Sequence, residues 1–354
     1  MATTQDYNLG PNPYPRGWFV VADAADLDRT PQNLRYFGQD VVLYRGASGR
    51  PIMLDAYCPH MGTHLGANTT SFVIQDGTYL EGDNIRCPYH AWRFGADGVC
   101  NHIPYFNGPI PAAARIRSWT VQERYGCIWA WHDMEGGAPH FDLPEITEWD
   151  DPSWVRWQLD KLGELPCHSQ ELIDNMADMA HLGPTHGAPC EFFRNEITGH
   201  ILRQVQGGKH PSITGGGLLE TDTWYTGPGV LLSRFVGMGS IMFITHTPIE
   251  EGRVRAWHGL LVQSPNKVAT EQDVANARIA QSYSRAAFAQ DFEIWKNKRP
   301  AIQILQLPTD GPFAKIRAWY KQFYHPRAQE SALQAAVDGT YTIRDMPTAR
   351  PQAA

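Results

Sequence analysis

Two short segments that pair a cysteine with a histidine constrain this sequence more than any other feature. The first reads Cys58-Pro-His60, and the second, 26 residues after it, reads Cys87-Pro-Tyr-His90. Each segment offers one thiolate and one imidazole from a tight loop that its proline stiffens. Because the chain has only six cysteines in 354 residues, we expect metal ligands or buried thiols here and no disulfide framework.

Mixed cysteine and histidine ligands suit one kind of metal centre in particular. Two cysteines can hold one iron of a [2Fe–2S] cluster while two histidines hold the other, and this ligation raises the reduction potential. A tetrahedral zinc site uses the same ligand types and stays open as an alternative, although zinc sites favour Cys-x-x-Cys and His-x-x-x-His halves. The pattern therefore predicts an electron-accepting cluster site. His64 is interpreted as a loop residue, and the other four cysteines as structural: Cys100, Cys127, Cys167 and Cys190.

A second concentration of ligand residues lies near the middle of the chain. Asp174, Asp178 and His181 follow an i, i+4, i+7 spacing, which places them on one face if the helix continues as far as His181. On such a helix His186 would point ~140° away from His181. A Gly-Pro pair between the two histidines is expected to end or bend the helix and turn His186 back.

Two histidines leave room for one carboxylate, and Asp291 is the candidate. A set of two histidines and one carboxylate holds Fe(II) and leaves positions open for O2. Asp291 lies on an otherwise apolar stripe with Tyr283, Ile294 and Trp295, where an acid is costly to bury unless it is paired or bound to metal. Glu293 points elsewhere and is the weaker choice. A surface salt bridge is the alternative interpretation of Asp291.

The N-terminal part of the chain has the pattern of a small antiparallel β domain. Residues 15–132 contain short apolar runs separated by turn signals such as Ala47-Ser-Gly49 and Ala96-Asp-Gly98. A Gly- and Pro-containing segment, Met134–Pro139, marks a boundary. We therefore predict a β domain over residues 1–145.

Residues 146–354 predict an α+β domain with a central antiparallel sheet flanked by helices. Strand-like runs occupy 197–262, and residues 271–298 predict one long helix rich in Ala, Gln, Arg and Glu. A further helix is predicted over 312–323. The tail after His325 is expected to be frayed.

Composition and charge exclude several classes of protein. The net charge is −7, which argues against nucleic-acid binding, because that needs basic surface. The longest apolar stretch, 229–244, is interrupted by Arg234, so no membrane span is expected. The N-terminus has neither a basic region nor an apolar core and predicts no signal peptide, which leads us to expect a cytoplasmic protein.

Taken together, the two motifs identify a resemblance. Cys58-Pro-His60 and Cys87-Pro-Tyr-His90, followed by Asn175-x-x-Asp178-x-x-His181-x-x-x-x-His186, resemble the Rieske non-haem iron oxygenases. The resemblance extends from about Pro15 to about Tyr324. Within that family, the sequence looks most like the oxygenase components of 3-ketosteroid 9α-hydroxylase. The segment Gln290-Asp-Phe-Glu-Ile-Trp lies where the family has its third iron ligand, which supports Asp291.

The resemblance implies a cofactor set, a partner and an assembly. It implies a Rieske [2Fe–2S] cluster on Cys58, His60, Cys87 and His90, and a mononuclear Fe(II) on His181, His186 and Asp291. Electrons would come from a separate NAD(P)H-dependent reductase or ferredoxin. NAD(P)H itself would act only indirectly, since the chain has no Gly-rich dinucleotide fingerprint.

The expected reaction is hydroxylation, with O2, of a small-molecule substrate that is bulky, apolar and steroid-like. The resemblance also implies a homotrimer, in which the cluster of one subunit would face the mononuclear iron of the next. Asp178 would bridge His181 and the His90 of the neighbour, orienting both rings. Asn175 is expected near the iron.

Several alternatives stay open at this point. The same chemistry could give O- or N-demethylation, desaturation or aromatic-ring oxygenation, and an electron carrier or a zinc-stabilised binding protein would be no oxygenase. Two segments depart from the family pattern. The loop between the two cluster motifs is longer, within 67–84, and the run after Lys298 reads Arg-Pro-Ala-Ile-Gln-Ile-Leu. The loop could contact a subunit, the electron donor or the substrate entrance, or be a surface insertion.

Overall fold

Short apolar strands alternate with turns through the first third of the chain. The computed structural model describes residues 1–307 and 309–345, apart from the side chains at 211 and 212. It divides into two units, Phe19–His132 and a second that joins Met1–Trp18 to the residues from Asp133 onward. The first 18 residues therefore belong with the second unit, which the sequence did not suggest. The boundary at 145/146 stays a prediction for the functional domains.

The unit Phe19–His132 is built from three small antiparallel sheets. Their strand orders are β1-β10-β9, β2-β3-β4 and β5-β6-β7-β8. The predicted antiparallel β domain is confirmed. The long loop between the two cluster motifs contains one short helix, α1, whose Phe72 is exposed. The elements are β1 (Gly17–Asp23), β2 (Gln32–Tyr36), β3 (Gln39–Arg45), β4 (Pro51–Asp55), α1 (Phe72–Gln75), β5 (Leu80–Glu81), β6 (Asn84–Arg86), β7 (Arg93–Phe94), β8 (Cys100–His102), β9 (Val121–Arg124) and β10 (Cys127–His132).

The second unit is a large antiparallel sheet with helices. Its strand order is β11-β18-β17-β16-β15-β14-β13-β19, and β12 also pairs with β18. The predicted α+β class, with a central antiparallel sheet flanked by helices, is confirmed. The elements are β11 (Trp154–Val155), β12 (Asp160–Leu165), α2 (Ser169–Asp174), α3 (Leu182–His186), β13 (Phe192–Thr198), β14 (Ile201–Lys209), α4 (Pro211–Thr214), β15 (Leu218–Thr226), β16 (Val230–Phe235), β17 (Ser240–Glu250), β18 (Arg253–Gln263), α5 (Glu271–Asn297), α6 (Phe313–Tyr320), α7 (Glu330–Ala335) and β19 (Gly339–Arg344).

Helix α5 is the longest helix of the described residues and packs on β12 and β18. A capping box starts it: the Thr270 side chain accepts from the Asp273 N–H, and the Asp273 carboxylate accepts from the Thr270 N–H. The predicted stripe was wrong at Tyr283 and Ile294, which are exposed, because both lie more than ~100° round the helix from the buried Phe288. The buried face consists of Ala277, Gln281, Phe288, Asp291, Phe292 and Trp295.

The expectation of a frayed tail was wrong for the described part. After His325 the chain forms helix α7 and then β19, which adds an antiparallel edge strand to β13. The alternation of Thr with Tyr341 and Ile343 over 340–343 is strand-like and was missed. Residues 346–354 lie outside the described residues. No helix in the described part of the chain combines the length and apolar character needed to cross a bilayer.

Two fully buried histidines on neighbouring strands differ sharply in their partners. His258 on β18 contacts Asp160 through Nδ1 and Ser284 through Nε2, both at 2.9 Å. His246 on β17 is equally buried, yet neither ring nitrogen has a hydrogen-bond partner among the described residues. Burial lowers the pKa of His246 to about 3, so this ring is neutral at physiological pH.

This pair gives a matched prediction on stability. We expect His258→Leu to lower the free energy of unfolding by about 2–4 kcal/mol, because it removes two buried hydrogen bonds, one of them to a carboxylate. We expect His246→Leu to stay within about 1 kcal/mol of wild type or to stabilise, because an unpaired polar ring is replaced by an apolar side chain. Urea unfolding with unchanged m values measures both. Equal losses in the two variants would contradict this account.

Candidate metal centres

The two cluster motifs adopt the same turn. The first follows β4 and the second follows β6 directly. The N–H of Cys58 donates to the carbonyl of Thr63 at 2.9 Å, and the N–H of Cys87 donates to the carbonyl of Trp92 at 2.8 Å. In both loops the fourth residue after the cysteine has a left-handed backbone, with φ of 71° at Gly62 and 57° at Ala91. The loops therefore present their ligands in matching ways.

The cysteine ends of these loops are buried and the histidine ends reach the surface. Cys58 and Cys87 are 2% and 1% exposed, whereas His60 is exposed and His90 is half-buried. The two imidazole rings lie 4.7 Å apart between centroids. Trp92 stacks on His60 at 4.6 Å with an interplanar angle of 6°. A metal centre bound here would have its cysteine ligands shielded from water. Its histidine ligands would lie near the surface, where a partner protein could contact them.

Hydrogen bonding prepares one thiol to ionise. A hydrogen bond from the Cys58 thiol, aided by backbone N–H groups of Tyr89 and His90, lowers the pKa of Cys87 to about 6 despite burial. The same contact with Cys87 raises the pKa of Cys58. The two thiols therefore share a hydrogen bond, and binding of a positively charged centre would displace its proton.

These four ligands do not converge on a single ion. Among the residues that the structure describes, one group of three histidine, cysteine or carboxylate side chains brings its ligand atoms within 4.8 Å of one another, and it contains none of the four. A tetrahedral zinc ion needs its ligands gathered round one point. The donor set and its division into a cysteine pair and a histidine pair fit a two-iron cluster.

That one compact group is His181, His186 and Asp291, the set predicted from the sequence. Nε2 of His186 lies 3.3 Å from the Asp291 carboxylate, and the two imidazole rings are 5.3 Å apart. Asp291 is 7% exposed. A buried carboxylate beside two imidazoles fits a divalent iron and leaves further positions open.

The backbone reaches this geometry by a route that differs from the predicted one. The helix ends at Asp174, well before His181, and a separate helix, α3, begins at Leu182. Pro184 lies inside the first turn of α3 and breaks nothing, because the first N–H groups of a helix have no partner within it. His181 caps the start of α3 and His186 ends it.

Because the helix is interrupted, the predicted shared face of Asp174, Asp178 and His181 does not exist. Asp174 is directed instead to α6, where its carboxylate accepts from Arg317 Nε at 2.9 Å. Asn175 is the half-buried cap at the end of α2, and its carbonyl accepts from the N–H of Asp178. The structure therefore separates Asp174 from the histidines.

Asp178 lies against the first histidine. Its Oδ1 accepts from the N–H groups of Ala180 and His181, at 3.1 and 3.3 Å. Nδ1 of His181 donates to the backbone carbonyl of Asp178 at 2.5 Å, while the Asp178 carboxylate is 3.8 Å away. One carboxylate oxygen is thus held by the backbone, and the side chain stays 37% exposed.

Electrostatics at the second histidine favour a bound cation. Burial alone would lower the pKa of His186, but the hydrogen bond and charge of Asp291 outweigh it, and the pKa is raised. An imidazole that gains a proton beside a carboxylate marks a place where positive charge is stabilised. A metal ion would supply that charge in the proton's place.

Comparisons with known proteins agree with this geometry. Residues 17–119 match the Rieske [2Fe-2S] domain model, and residues 130–324 match the 3-ketosteroid 9alpha-hydroxylase C-terminal domain model. A probable 3-ketosteroid-9-alpha-monooxygenase oxygenase component of Rhodococcus rhodochrous is 33% identical, covering 91% of this chain and 82% of its own. This chain belongs to that family of Rieske oxygenase components.

Other similar proteins lie further away. Cholesterol 7-desaturase of Caenorhabditis elegans is 27% identical, covering 89% of this chain and 78% of its own. The solved structure of Pseudomonas putida CBB5 NdmA has a TM-score of 0.69 at 15% identity and covers 98% of both chains. The second of these shows the fold alone. As a Rieske oxygenase component, the protein is an oxidoreductase that uses a [2Fe–2S] cluster.

Two residues that anchor the chain just before His181 were missed in the sequence. The side-chain amides of Asn195 on β13 and Gln204 on β14 both donate to the carbonyl of Met176, at 2.8 and 2.9 Å. They hold the chain between α2 and α3 on the sheet, just before His181. The two amide residues lie on neighbouring strands, so their shared contact with Met176 becomes visible only when the pairing of those strands is known. The sequence of either strand by itself does not reveal it.

Proposed function

We propose that this oxygenase component hydroxylates a bulky, apolar, steroid-like molecule with O2 and with electrons from a separate NAD(P)H-dependent reductase. The observation that carries the proposal is the joint presence of two donor sets in one chain. One is a buried cysteine pair with a histidine pair that reaches the surface, and the other is the compact group His181, His186 and Asp291. The relative in Rhodococcus rhodochrous, named for a 3-ketosteroid, supports the substrate class.

Each donor set has its own task in the proposed reaction. Cys58, His60, Cys87 and His90 would hold the Rieske cluster, and His181, His186 and Asp291 would hold the mononuclear iron. When bound, the cluster supplies electrons and the ferrous ion supplies O2 chemistry. The protein orients the two imidazoles, buries the carboxylate and limits the access of water.

The surroundings of Asp291 support an apolar substrate. On α5, Phe288, Phe292 and Trp295 form one cluster with buried residues of the sheet. Half-buried Leu231 and Met242 pack against that cluster from β16 and β17. The helix that carries Asp291 is therefore surrounded on its buried face mainly by hydrocarbon, an environment that suits a substrate without charges.

The histidine end of the cluster site supports a docking role. Met61, Tyr89 and Tyr105 are large apolar side chains that lie exposed next to His60 and His90 in the sequence or in space. Exposed apolar groups gathered at one place mark interaction sites. We propose that this end docks against the mononuclear iron domain of a neighbouring copy in a homotrimer, and receives the reductase or ferredoxin between turnovers.

In that assembly Asp178 would connect the two centres. The backbone holds one oxygen of its carboxylate, which leaves the other to accept a hydrogen bond from His90 of the partner subunit. We also propose a cytoplasmic location, where NAD(P)H is available and where the described cysteines, all free and buried, would stay reduced.

One other outcome has specific support. The relative named cholesterol 7-desaturase favours removal of two hydrogen atoms from a sterol as the second candidate reaction. The same chemistry could also give demethylation or aromatic-ring oxygenation. Neither of the two curated relatives described above is named for one of these reactions.

Labelled dioxygen separates the candidates. We expect the anaerobically prepared enzyme, supplied with NADH, a generic reductase and a panel of 3-ketosteroids, to give a product that carries one atom of 18O from 18O2. A desaturase would give an unlabelled product that lacks two hydrogen atoms. Oxygen uptake that no steroid stimulates, together with turnover of methoxy- or ring-aromatic compounds, would contradict the steroid assignment.

A further inference from the structure

A row of polar side chains crosses four strands of the large sheet on one of its faces. Asn195 on β13, Gln204 on β14, Thr223 on β15 and Ser233 on β16 lie directly opposite one another in the antiparallel pairs. Met242 on β17 continues the row after Ser233. Directly opposite residues have their side chains on the same face of a sheet. The four polar residues are buried, with exposed fractions between 0 and 7%, although residues of these types are mostly exposed in proteins.

Each end of this row supports an element that carries a ligand of the proposed iron site. At one end, the two amides bind the carbonyl of Met176, on the chain that leads to His181. At the other end, Met242 packs against the apolar cluster that α5, the helix of Asp291, forms with the sheet. The two hydroxyl residues of the row lie between these supports.

The two hydroxyl groups bind each other and leave one hydrogen unused. Oγ1 of Thr223 and Oγ of Ser233 are 2.6 Å apart. Each hydroxyl group carries one hydrogen, and their mutual hydrogen bond uses only one of the two. Whichever group donates, the hydrogen of the other has no acceptor among the residues that the structure describes. Because a buried donor without an acceptor costs free energy, an acceptor from outside the chain would stabilise the pair.

The neighbours of the pair decide which acceptor fits. On the side toward α5, Leu231 and Met242 flank Ser233, and both pack against the apolar cluster of that helix. An occupant of this face must therefore be mainly apolar, and it must bring one oxygen atom that accepts a hydrogen bond. A carbonyl group on a rigid apolar molecule meets both conditions.

Resting on the function proposed above, we infer that the hydroxyl pair of Thr223 and Ser233 determines substrate specificity. The pair donates one hydrogen bond to a carbonyl oxygen of an otherwise apolar substrate. This contact fixes one end of the substrate and so decides which carbon atom lies at the iron site. The pair positions the substrate and exchanges no proton with it.

Because either hydroxyl group can supply the hydrogen, the test removes both. The double variant Thr223→Val/Ser233→Ala replaces two hydrogen-bonded groups by apolar groups of similar shape, a change that is nearly neutral for stability. Thr245→Val is the matched control, because its hydroxyl group donates to the Gly229 carbonyl at 2.8 Å. Thr245 directly follows Ile244 of the α5 cluster, so its side chain points to the opposite face of the sheet.

The measured quantity is a preference ratio between two ligands. One is a 3-ketosteroid whose keto group is its only oxygen, and the other is the same ring system with a methylene group in that place. Equilibrium dialysis with the full-length, cluster-containing protein gives the two dissociation constants, and oxygen uptake with a generic reductase gives the two kcat/KM values. We expect wild type and Thr245→Val to favour the ketosteroid about 10-fold or more, as one buried hydrogen bond allows. The double variant should lose most of this preference.

A second readout follows the position of hydroxylation. Wild type and the control should give one main product from the ketosteroid, because its carbonyl end is held. The double variant should give a mixture of positions, since that end is no longer fixed. A merely structural role of the pair would lower stability and turnover for both ligands alike and would leave the preference ratio and the product pattern unaltered.

Two kinds of result would overturn the inference, and they differ in what else they affect. If wild type hydroxylates the ketosteroid but binds both ligands equally, or if the double variant keeps the preference, the pair does not bind the carbonyl and the proposed function stands. If wild type neither binds nor hydroxylates any 3-ketosteroid, the proposed substrate class falls together with the inference.

Discussion

Replacing Asp291 with alanine should remove one iron atom per chain and leave the cluster in place. Iron content should fall from about three to about two atoms per chain, since the [2Fe–2S] cluster holds two and the mononuclear site one. Acid-labile sulfide and the optical spectrum of the cluster should stay unchanged. Turnover should be lost, because no other described carboxylate joins the compact group that contains His181 and His186.

The physical reason is the donor set. Asp291 supplies the only negative charge of the compact group and is almost fully buried. Its removal leaves two neutral imidazoles, which hold a divalent ion far less tightly than two imidazoles and a carboxylate.

Glu293→Ala is the control for this experiment. Glu293 is an acid two residues further along α5, but it lies exposed. That variant should keep about three iron atoms and its activity. If Asp291→Ala retained the third iron and Glu293→Ala lost it, the choice between the two acids would be wrong.

Elements with a strong local pattern were predictable from the sequence. The long helix over 271–298 is observed as Glu271–Asn297, because its capping residues and helix-forming composition act within the helix itself. Short apolar runs of the β domain such as 41–44, 52–54 and 127–131 lie within β3, β4 and β10 for a similar reason. The ligand loops were predictable because the proline and the ligand spacing lie within a few residues of each other.

Elements whose form depends on distant partners were not predictable in this way. The chain between Asp174 and Leu182 leaves the helix, and the amides of Asn195 and Gln204, on two other strands, bind the Met176 carbonyl there. Periodicity alone favoured a continuous helix, because it contains no information about those amides. The orientation of Asp174 depends likewise on Arg317, more than a hundred residues away.

The candidate ligands come together although the prediction for the local backbone was wrong. His181 and His186 come together as the cap and the last residue of α3, and Asp291 approaches from α5. A short helix of five residues therefore brings the two histidines close together, which was the expected effect of a bent helix. Ligand identity depends on residue type and spacing, and several backbone routes satisfy the same spacing.

Replacing Asp178 with asparagine should leave both metals bound and lower turnover by about 100-fold or more. Such a loss corresponds to ~2.7 kcal/mol at ~1.36 kcal/mol per factor of ten. Asparagine keeps the carbonyl oxygen that accepts from the N–H groups of Ala180 and His181, so the local turn should persist. What it removes is the negative charge and the second acceptor oxygen.

The charge matters because the proposed partner at that oxygen is an imidazole N–H, the His90 of the neighbouring subunit. An amide that presents NH2 to this N–H repels it, and the contact that joins cluster and iron is lost. Asp178→Ala should lose turnover to the same extent. It should also be slightly less stable, because the N–H groups of Ala180 and His181 lose their hydrogen-bond acceptor.

Rapid-mixing measurements test where the loss arises. With the cluster reduced beforehand and substrate and O2 then added, cluster oxidation should be slowed in Asp178→Asn to the same extent as turnover. Iron and sulfide contents should equal those of wild type. The control is Asp151→Asn, because the exposed Asp151 accepts from the N–H of Ser153 at 2.8 Å in the same kind of local turn. Near-normal cluster oxidation in Asp178→Asn would mean that electrons reach the iron by a route that does not include this carboxylate.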